Sequence, residues 1–302
     1  MILTLTPPFH KDDYSLLGSC NGLICFNQSI CLYHHGPACV FNPITREYVI
    51  LPKCEDMYWW TGFGYLHTTN EYKVVRIYES GGDSNVGIIQ VYTLGSGNGW
   101  RNAGTMDVNM KYVEIGVGAF ANETLHWVNI EGISILAFHL SDEKYSELPP
   151  PPPYLTRDDV PYLSIKLGVL GDLLSAAYYY EDADNCDIWL LKKDGDNIDF
   201  SWIKEFSLVT AGVSFELTKN GKLLYYELTD ICSYDPKVSS ANMSASFGKY
   251  ISSAILHKNT LVSLKALGEQ DTKTMEFSLR ERSSEVMESS ATAYPQKHQC
   301  EV

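Results

Sequence analysis

Polar turn residues followed by a short apolar segment recur along the chain about every fifty residues. The first apolar residues of these segments are Leu23, Val74, Leu125, Leu173, Leu223 and Leu261. Strands and turns that repeat at this interval are typical of a β-propeller, in which each blade is a small antiparallel sheet. Six segments predict about six blades, and the last interval is shorter than the others, at about 38 residues.

Glycine and asparagine in the turns fit this interpretation. Asn21–Gly22 and Asn220–Gly221 each predict a two-residue type I′ turn, because glycine accepts the positive φ that this turn needs. Gly62 and Gly64 flank Phe63, which predicts a close approach of two backbones or a bulge where blades converge. Trp100 and Trp127 are expected to pack between neighbouring blades, since large flat rings cover such seams. No sustained helical periodicity occurs before residue 264, so the fold class is all-β.

The composition changes after Gly268, where Ser, Glu, Gln, Thr and Lys replace apolar residues. Such a segment buries too little apolar surface to offset its ordering entropy. We therefore predict one propeller domain at residues 1–267 and a disordered tail at 268–302, with at most a marginal helix around 274–287. The ring is expected to close through a strand at Ile2–Leu5 that pairs with the final blade.

The charge balance excludes some classes of partner. The chain has 302 residues, 37 Asp and Glu against 23 Lys and Arg, and a formal net charge of −14. Nucleic-acid-binding proteins carry a basic patch that neutralises phosphates, and none is visible here. An acidic chain is also repelled by anionic membranes. No apolar run reaches the roughly 18 residues of a membrane helix, and Pro7 and Pro8 interrupt the N-terminal segment too early for a signal peptide.

The eight cysteines do not have the spacing of a zinc site, because Cys20 and Cys25 alone come close to a pair. Buried free thiols in a reducing compartment explain them better, which favours the cytoplasm, the nucleus or both.

Candidate chemical motifs are weak. Asp194–Glu205 has some spacing of a calcium loop but lacks the required oxygen donor and glycine, so a hairpin turn explains it better. Gly95–Gly99 lacks the spacing of a phosphate loop and the helix that would follow it. His34 and His35 have no third ligand nearby, and no nucleophile elbow is present. We therefore predict no catalytic, cofactor-binding or metal-binding residues, and no enzyme activity.

Three ordered motifs, spanning roughly residues 15 to 265, resemble a known family. Gly18–Cys25 followed by Phe41–Glu47 resembles the opening of the plant F-box-associated domain. Thr61–Arg76 is similar to that domain's second signature, and Leu125–Trp127 followed by Ile135–Leu140 is similar to its third. The sequence also resembles the pollen S-locus F-box proteins in its general pattern of residues.

This resemblance implies a kelch-like propeller that captures a target protein for a Skp1–cullin–F-box ubiquitin ligase. Family members usually carry a Leu-rich helical F-box before the first motif, and only about seventeen residues precede Gly18. The resemblance therefore implies that Skp1 and cullin are reached only indirectly. Two alternatives remain: a kelch-like enzyme or lectin with an axial pocket, and a non-functional fragment that competes with an intact relative.

Aromatic loop residues are the candidates for partner binding, because exposed Tyr and Trp often anchor protein interfaces. We expect loops around Tyr58–Trp60, Tyr154–Asp159 and Tyr180–Asn185 to line one face of the propeller. The candidate residues are Tyr58, Trp59, Trp60, Tyr154, Arg157, Tyr180 and Asp182. The proline run Pro149–Pro153 adopts polyproline II, either as a stiff connector between blades three and four or as a ligand for an SH3-like partner.

Overall fold

The computed structural model describes residues 14–31, 34–53, 58–81, 83–109, 116–129, 134–152, 163–180, 185–193 and 200–275. In these ranges the chain forms strands, turns and extended segments, as the abundance of aromatic and β-branched residues favours. No helix long and apolar enough to cross a membrane occurs in this part of the chain.

The strands form five antiparallel sheets, which are the blades. Blade 1 contains β1 (Tyr14–Cys20), β2 (Leu23–Cys31), β3 (His34–Phe41) and β4 (Glu47–Ile50). Blade 2 contains β5 (Tyr58–Leu66), β6 (Glu71–Ser80), β7 (Asp83–Thr93) and β8 (Trp100–Asp107), and β9 (Gly116–Val117) adds to β5 in parallel.

Blade 3 contains β10 (Ala119–Ala121), β11 (Thr124–Asn129), β12 (Ser134–His139) and β13 (Lys144–Leu148). Blade 4 contains β14 (Leu163–Leu170), β15 (Leu173–Tyr180), β16 (Asn185–Lys193) and β17 (Phe200–Val209). Blade 5 contains β18 (Val213–Leu217), β19 (Leu223–Glu227), β20 (Asp230–Asp235) and β21 (Ser240–Ser246). A two-residue strand, β22 (Lys273–Thr274), pairs with β4 at the outer edge of blade 1.

The first strands of successive blades pack against each other in chain order. β1 contacts β5, β5 contacts β10, β10 contacts β14, and β14 contacts β18. This is the β-propeller arrangement that the fifty-residue repeat predicted. Five blades are formed by the described residues, so the prediction of about six is wrong.

Antiparallel pairing gives the propeller two distinct faces. In each blade the first and third turns leave from one face, which we call the turn face. The second turns and the connections between blades leave from the other, which we call the connection face. Contacts between neighbouring blades support this assignment, because the first turn of blade 3 contacts that of blade 2 through a hydrogen bond from the His67 amide to Glu123 Oε1 at 2.7 Å.

The first turns of the blades explain the repeat in the sequence. Asn21 and Gly22 both have positive φ, at 41° and 87°, which confirms the predicted type I′ turn. The turn at Asn220–Gly221 differs from its prediction, since only Gly221 has positive φ there. Thr218 accounts for the difference: its carbonyl accepts from the Gly221 amide, and its side chain accepts from the Lys222 amide, making a longer turn.

Blades 2 and 3 approach each other as the sequence predicted. A Cβ built on Gly62 would lie 2.7 Å from Leu125 Cδ2, and one on Gly64 would lie 2.5 Å from Leu140 Cδ1. Trp127 covers the same seam: its ring stacks on Trp60 with centroids 6.2 Å apart, and its Nε1 donates to the Thr61 carbonyl at 3.0 Å. Glycine at these two positions thus leaves the space that side chains of blade 3 occupy against the backbone of blade 2.

Trp100 lies at the boundary between blade 2 and the connection that leads to it from blade 1. Its Nε1 donates to the Pro52 carbonyl in the connection from blade 1 to blade 2. Its ring lies under the Arg76 guanidinium, with Cζ 4.0 Å from the centroid. The Trp100 side chain therefore joins β8, the outer strand of blade 2, to the connection between blades 1 and 2.

The proline run serves as a connector between blades 3 and 4. Tyr178 in β15 donates to the Pro151 carbonyl, and Trp202 in β17 donates to the Pro149 carbonyl, each at 2.9 Å. Pro150 and Pro151 are buried against these neighbours. Pro153 lies outside the described residues.

The segment predicted to begin a sixth blade is an extended strap at residues 257–272. Its residues 257–263 form no strand and cross the turn face of blades 1 and 2. Asn42 Nδ2 donates to the carbonyls of Thr260 and Val262, at 3.1 and 2.7 Å. Because blade 1 satisfies these backbone groups, the segment does not pair with another strand.

The strap continues past the predicted domain boundary at residue 267. Leu264 is fully buried in the core shared by blades 1 and 2, and its amide donates to Glu47 Oε2 at 2.6 Å. Glu269, which lies in the predicted tail, is buried and accepts from the Gly95 amide at 2.7 Å and from the Tyr92 hydroxyl at 3.3 Å. The strand predicted at Ile2–Leu5 and residues 276–302 lie outside the described residues.

Gly64→Ala tests the contact between blades 2 and 3. The added methyl group would overlap Leu140 and Phe120, so we expect the free energy of unfolding to fall by about 2 kcal/mol. Gly81→Ala is the matched control, because a Cβ at Gly81 meets nothing within 4 Å. Urea denaturation measures both variants, and equal midpoints would contradict the close approach.

Leu264→Ala tests the docking of the strap. Removing a buried leucine side chain should lower the free energy of unfolding by about 3 kcal/mol. Leu261 is 81% exposed in the same strap, so Leu261→Ala should leave it nearly unchanged. A Leu264→Ala variant as stable as its control in urea denaturation would show that the strap does not contribute to the core.

Candidate partner-binding face

The predicted cluster at Tyr58–Trp60 lies in a strand and not in a loop. β5 begins at Tyr58, whose backbone pairs with Tyr78, and the side chains of Tyr58 and Trp59 lie outside the described part of the structure. Trp60 is 1% exposed and stacks on Trp127, so it is a core residue and offers no surface to a partner. The strand alternates its side chains, which turns Trp60 inward at the seam.

Tyr180 lies at the end of β15, partly exposed, and is held in place by Asp187. Its hydroxyl donates to Asp187 Oδ2 at 3.2 Å, and the same carboxylate accepts from Lys204 Nζ at 2.7 Å and from Ser207 Oγ at 2.6 Å. Burial disfavours the charged carboxylate, but hydrogen bonds from Lys204, Ser207 and Tyr180 outweigh it and lower the pKa of Asp187. Tyr180 is thus a rigid polar group at the rim of blade 4.

The strands that flank the three predicted loops have the ends nearest to those loops on the same face of the propeller. The end of β4 and the start of β5 flank the first, β13 and β14 flank the second, and β15 and β16 flank the third. By strand direction all three belong to the connection face. The remaining candidates, Tyr154, Arg157 and Asp182, lie outside the described residues, so their roles stay predictions.

Exposed apolar side chains mark the connection face at blades 4 and 5. Val209 is 83% exposed, Leu228 68%, Phe247 45% and Tyr250 76%. We call these four residues the apolar corner. Clusters of exposed apolar residues are uncommon on proteins that bind nothing and often mark interaction surfaces.

Hydrogen bonds hold the apolar corner together. Thr210, next to Val209, donates from Oγ1 to Glu227 Oε2 at 3.1 Å. The amide of Phe247 donates to the Thr229 carbonyl at 2.9 Å, and the amide of Ile251 donates to the Leu228 carbonyl at 2.8 Å. The end of β17, the second turn of blade 5 and the segment after β21 therefore form one surface.

The turn face is occupied over blades 1 and 2 by the strap. Thr260 Oγ1 lies where a side chain on Gly22 would be, and Ser19 Oγ lies 2.9 Å from His257 Nδ1. Burial is the first cause that raises the pKa of Tyr92, to about 12, and Glu269 of the strap adds to it. This part of the turn face is therefore closed by the chain itself.

Ion pairs close the turn face between blades 2 and 3. Lys73 is nearly buried, and its Nζ donates to Glu143 Oε1 and to the Leu140 carbonyl, each at 2.8 Å. Arg101 also pairs with Glu143. Burial opposes ionisation of Glu143, but the hydrogen bonds from Arg101 and Lys73 outweigh it and lower the pKa of that carboxyl.

Comparisons with known proteins agree with this architecture. Residues 4–234 match the family model of the F-box associated beta propeller domain. The chain belongs to the F-box associated beta propeller domain family. The solved structure of YjhT is similar over 83% of this chain and 89% of its own, with a TM-score of 0.52 at 11% identity, which supports the fold alone.

Curated relatives of this F-box associated propeller are proteins of Arabidopsis thaliana. F-box protein At3g07870 is 28% identical over 75% of this chain and 64% of its own length. F-box/kelch-repeat protein At3g23880 is 24% identical over 66% of this chain and 54% of its own length. F-box protein CPR1 is 27% identical over 64% of this chain and 52% of its own length. The chain therefore spans about half to two thirds of the relatives it matches.

The cysteines of this family member whose side chains the structure describes are free thiols, and most of them are buried. Cys20, Cys25, Cys39 and Cys186 are buried free thiols, and Cys232 is half-buried. Burial raises the pKa of each of the four buried thiols, which keeps them protonated and unreactive. Across the described ranges, no group of three His, Cys, Asp or Glu side chains has the arrangement of a metal site.

The apolar corner of this F-box associated propeller was not among the features predicted from the sequence. One signal was available in Glu227-Leu228-Thr229-Asp230, where an apolar residue occupies a tight turn between two strands. Such positions favour Gly, Asn or Asp, so a leucine there is unusual. The predicted partner-binding residues were chosen mainly from aromatic clusters, and one of them, Trp60, is buried in the core.

His126 gives this propeller a pH-dependent stability. The side chain is 6% exposed in β11, where Nδ1–H donates to the Ala119 carbonyl at 3.2 Å. Burial is the main cause that lowers its pKa from 6.5 to about 4, so the folded state holds the ring neutral. The unfolded chain binds a proton between these two values and the folded protein does not. The stability contributed by the neutral ring is present above pH 6.5 and is lost as the pH falls towards about 4.

His126→Gln should remove that pH dependence. Between pH 6.5 and about 4 the wild type should lose on the order of 3 kcal/mol more of its free energy of unfolding than the variant. Urea denaturation of both proteins across this pH range measures the difference. The contributions of carboxylates that titrate in both proteins cancel in that difference. Parallel losses in the two proteins would contradict a buried neutral His126.

Proposed function

We propose that this propeller recognises a target protein and selects it for ubiquitination. Membership of the F-box associated family supports a protein-recognition role, and the curated relatives are F-box proteins. Recognition is distinct from catalysis here: we propose that the chain is not an enzyme and takes no cofactor. The setting we propose is the cytoplasm or nucleus, which suits buried free thiols.

The apolar corner is the observation that carries this proposal. Val209, Leu228 and Tyr250 expose large apolar side chains on the connection face, where loops leave the rigid blades. Binding residues often lie on loops that a rigid scaffold positions. A surface of this kind suits a protein partner better than a small ligand, since small ligands need a concave site.

We propose that the propeller contacts the target, whereas Skp1 and cullin contact an F-box. Coupling of this propeller to the ligase is then indirect. The chain spans 52 to 64% of the lengths of the relatives, so the activity of a whole F-box protein is part of the proposal.

Affinity capture of the tagged full chain from plant cells tests the proposal. Proteins retained over a tagged control protein are identified and quantified, and their ubiquitin conjugates are measured with and without depletion of Skp1. We expect a small set of retained proteins whose ubiquitination rises with expression of the chain and falls when Skp1 is depleted.

Two results would contradict different parts of the proposal. If no protein is retained specifically, the recognition function is wrong. If proteins are retained but their ubiquitination does not respond to the chain or to Skp1, the module binds partners without serving a ubiquitin ligase.

A further inference from the structure

Leu228 has an unusual backbone conformation for an exposed leucine. Its φ is 53°, in the left-handed region, and it occupies the second turn of blade 5. A bulky side chain in this region is strained, because Cβ comes close to the carbonyl oxygen. Other positive-φ positions in the propeller are mainly Asn, Asp or Gly, which tolerate the conformation.

Burial of the side chain does not offset this strain. Leu228 is 68% exposed, so its side chain contributes little to the core. Its backbone is nevertheless held in place, since the Ile251 amide donates to its carbonyl and the Phe247 amide donates to the Thr229 carbonyl. Strained residues that the surroundings hold in place occur often at binding sites. The conformation presents the leucine side chain at the tip of the turn.

Two carboxylates flank the leucine in the same turn. Glu227 accepts from Thr210, and Asp230 accepts from Thr229 at 3.1 Å, and neither forms a salt bridge with a residue that the structure describes. Lys249, next to Tyr250 in the chain, is an exposed cation. The chain as a whole carries −14, which attracts a cationic partner over longer distances.

The turn face carries exposed acids such as Asp142 and Asp172 as well as exposed cations. Exposed lysines lie there at the third turn of blade 5 and along the strap, including Lys237, Lys258 and Lys265. At the apolar corner, the exposed apolar side chains lie beside the two carboxylates of the Leu228 turn. Complementary charge around an apolar centre determines which partners can dock.

We propose that the apolar corner binds a basic peptide segment of the target protein. An apolar side chain of that segment packs on Leu228 and Tyr250, and its lysine or arginine side chains lie against Glu227 and Asp230. This inference rests on the proposed recognition function and specifies the chemistry of the target. Leu228 is the anchor, held in an exposed position by the strained turn.

Selection of short random peptides displayed on phage against the immobilised full chain tests this assignment. The enriched sequences are synthesised with a fluorescent label, and their affinities are measured by anisotropy. We expect an apolar residue flanked by Lys or Arg in the enriched peptides. Raising the salt concentration should weaken their binding, because exposed charges are screened.

Leu228→Asn separates binding from folding. Asparagine tolerates positive φ, so the variant should unfold at the same temperature as the wild type or a higher one. The substitution should lower the affinity of the enriched peptides for the chain by at least about tenfold, as expected when an interface anchor is removed. Leu261→Asn is the matched control: that leucine is 81% exposed on the strap, and the substitution should leave affinity unchanged.

The outcomes distinguish this inference from the proposed function. Enriched peptides that bind Leu228→Asn as tightly as the wild type, or that lack an excess of Lys and Arg, would overturn the inference and leave protein recognition standing. Selection that enriches no peptide would also overturn it. Failure of the whole recognition function would appear separately, as the absence of retained proteins in affinity capture from cells.

Discussion

Direct contact between neighbouring sheets is the constraint on which the rest of the structure depends. Blades 2 and 3 meet so closely that Leu125 and Leu140 occupy the space that a side chain at Gly62 or Gly64 would need. Trp127 fills the remaining space, with its ring on Trp60 and its Nε1 on a backbone carbonyl. Such contacts fix each blade relative to the next, and the hairpin turns are thereby arranged on two opposite faces.

The two faces differ in accessibility because the chain covers part of one of them. The strap lies on the turn face of blades 1 and 2, with Leu264 in the core and Glu269 against Gly95. The connection face carries the apolar corner at blade 5. A propeller with its turn face covered over blades 1 and 2 and an apolar corner on its connection face suits a protein that presents a surface to a partner.

Local chemistry made most of the fold predictable. The positive φ of Asn21 and Gly22, the close approach at Gly64 and the inward position of Trp127 all follow from residue types whose geometry is restrictive. The sixth repeat misled because its turn residues resemble the others, whereas Asn42 and Glu47 recruit that segment as a strap. Such long-range pairings leave no local pattern. The apolar corner could not be predicted from the sequence either, because the exposure of Leu228 depends on which sheets surround it.

Hydrogen–deuterium exchange of the free protein tests most directly whether the turn face is closed by the strap. The Leu264 amide donates to Glu47, and the amides of Leu267, Gly268 and Glu269 donate to carbonyls of the strap, so peptides covering residues 264–269 should exchange as slowly as the β1–β2 hairpin. Exchange of the strap at the rate of an unprotected segment would contradict the account. The turn face of blades 1 and 2 would then be open, and the connection face would no longer be the distinctive surface for a partner.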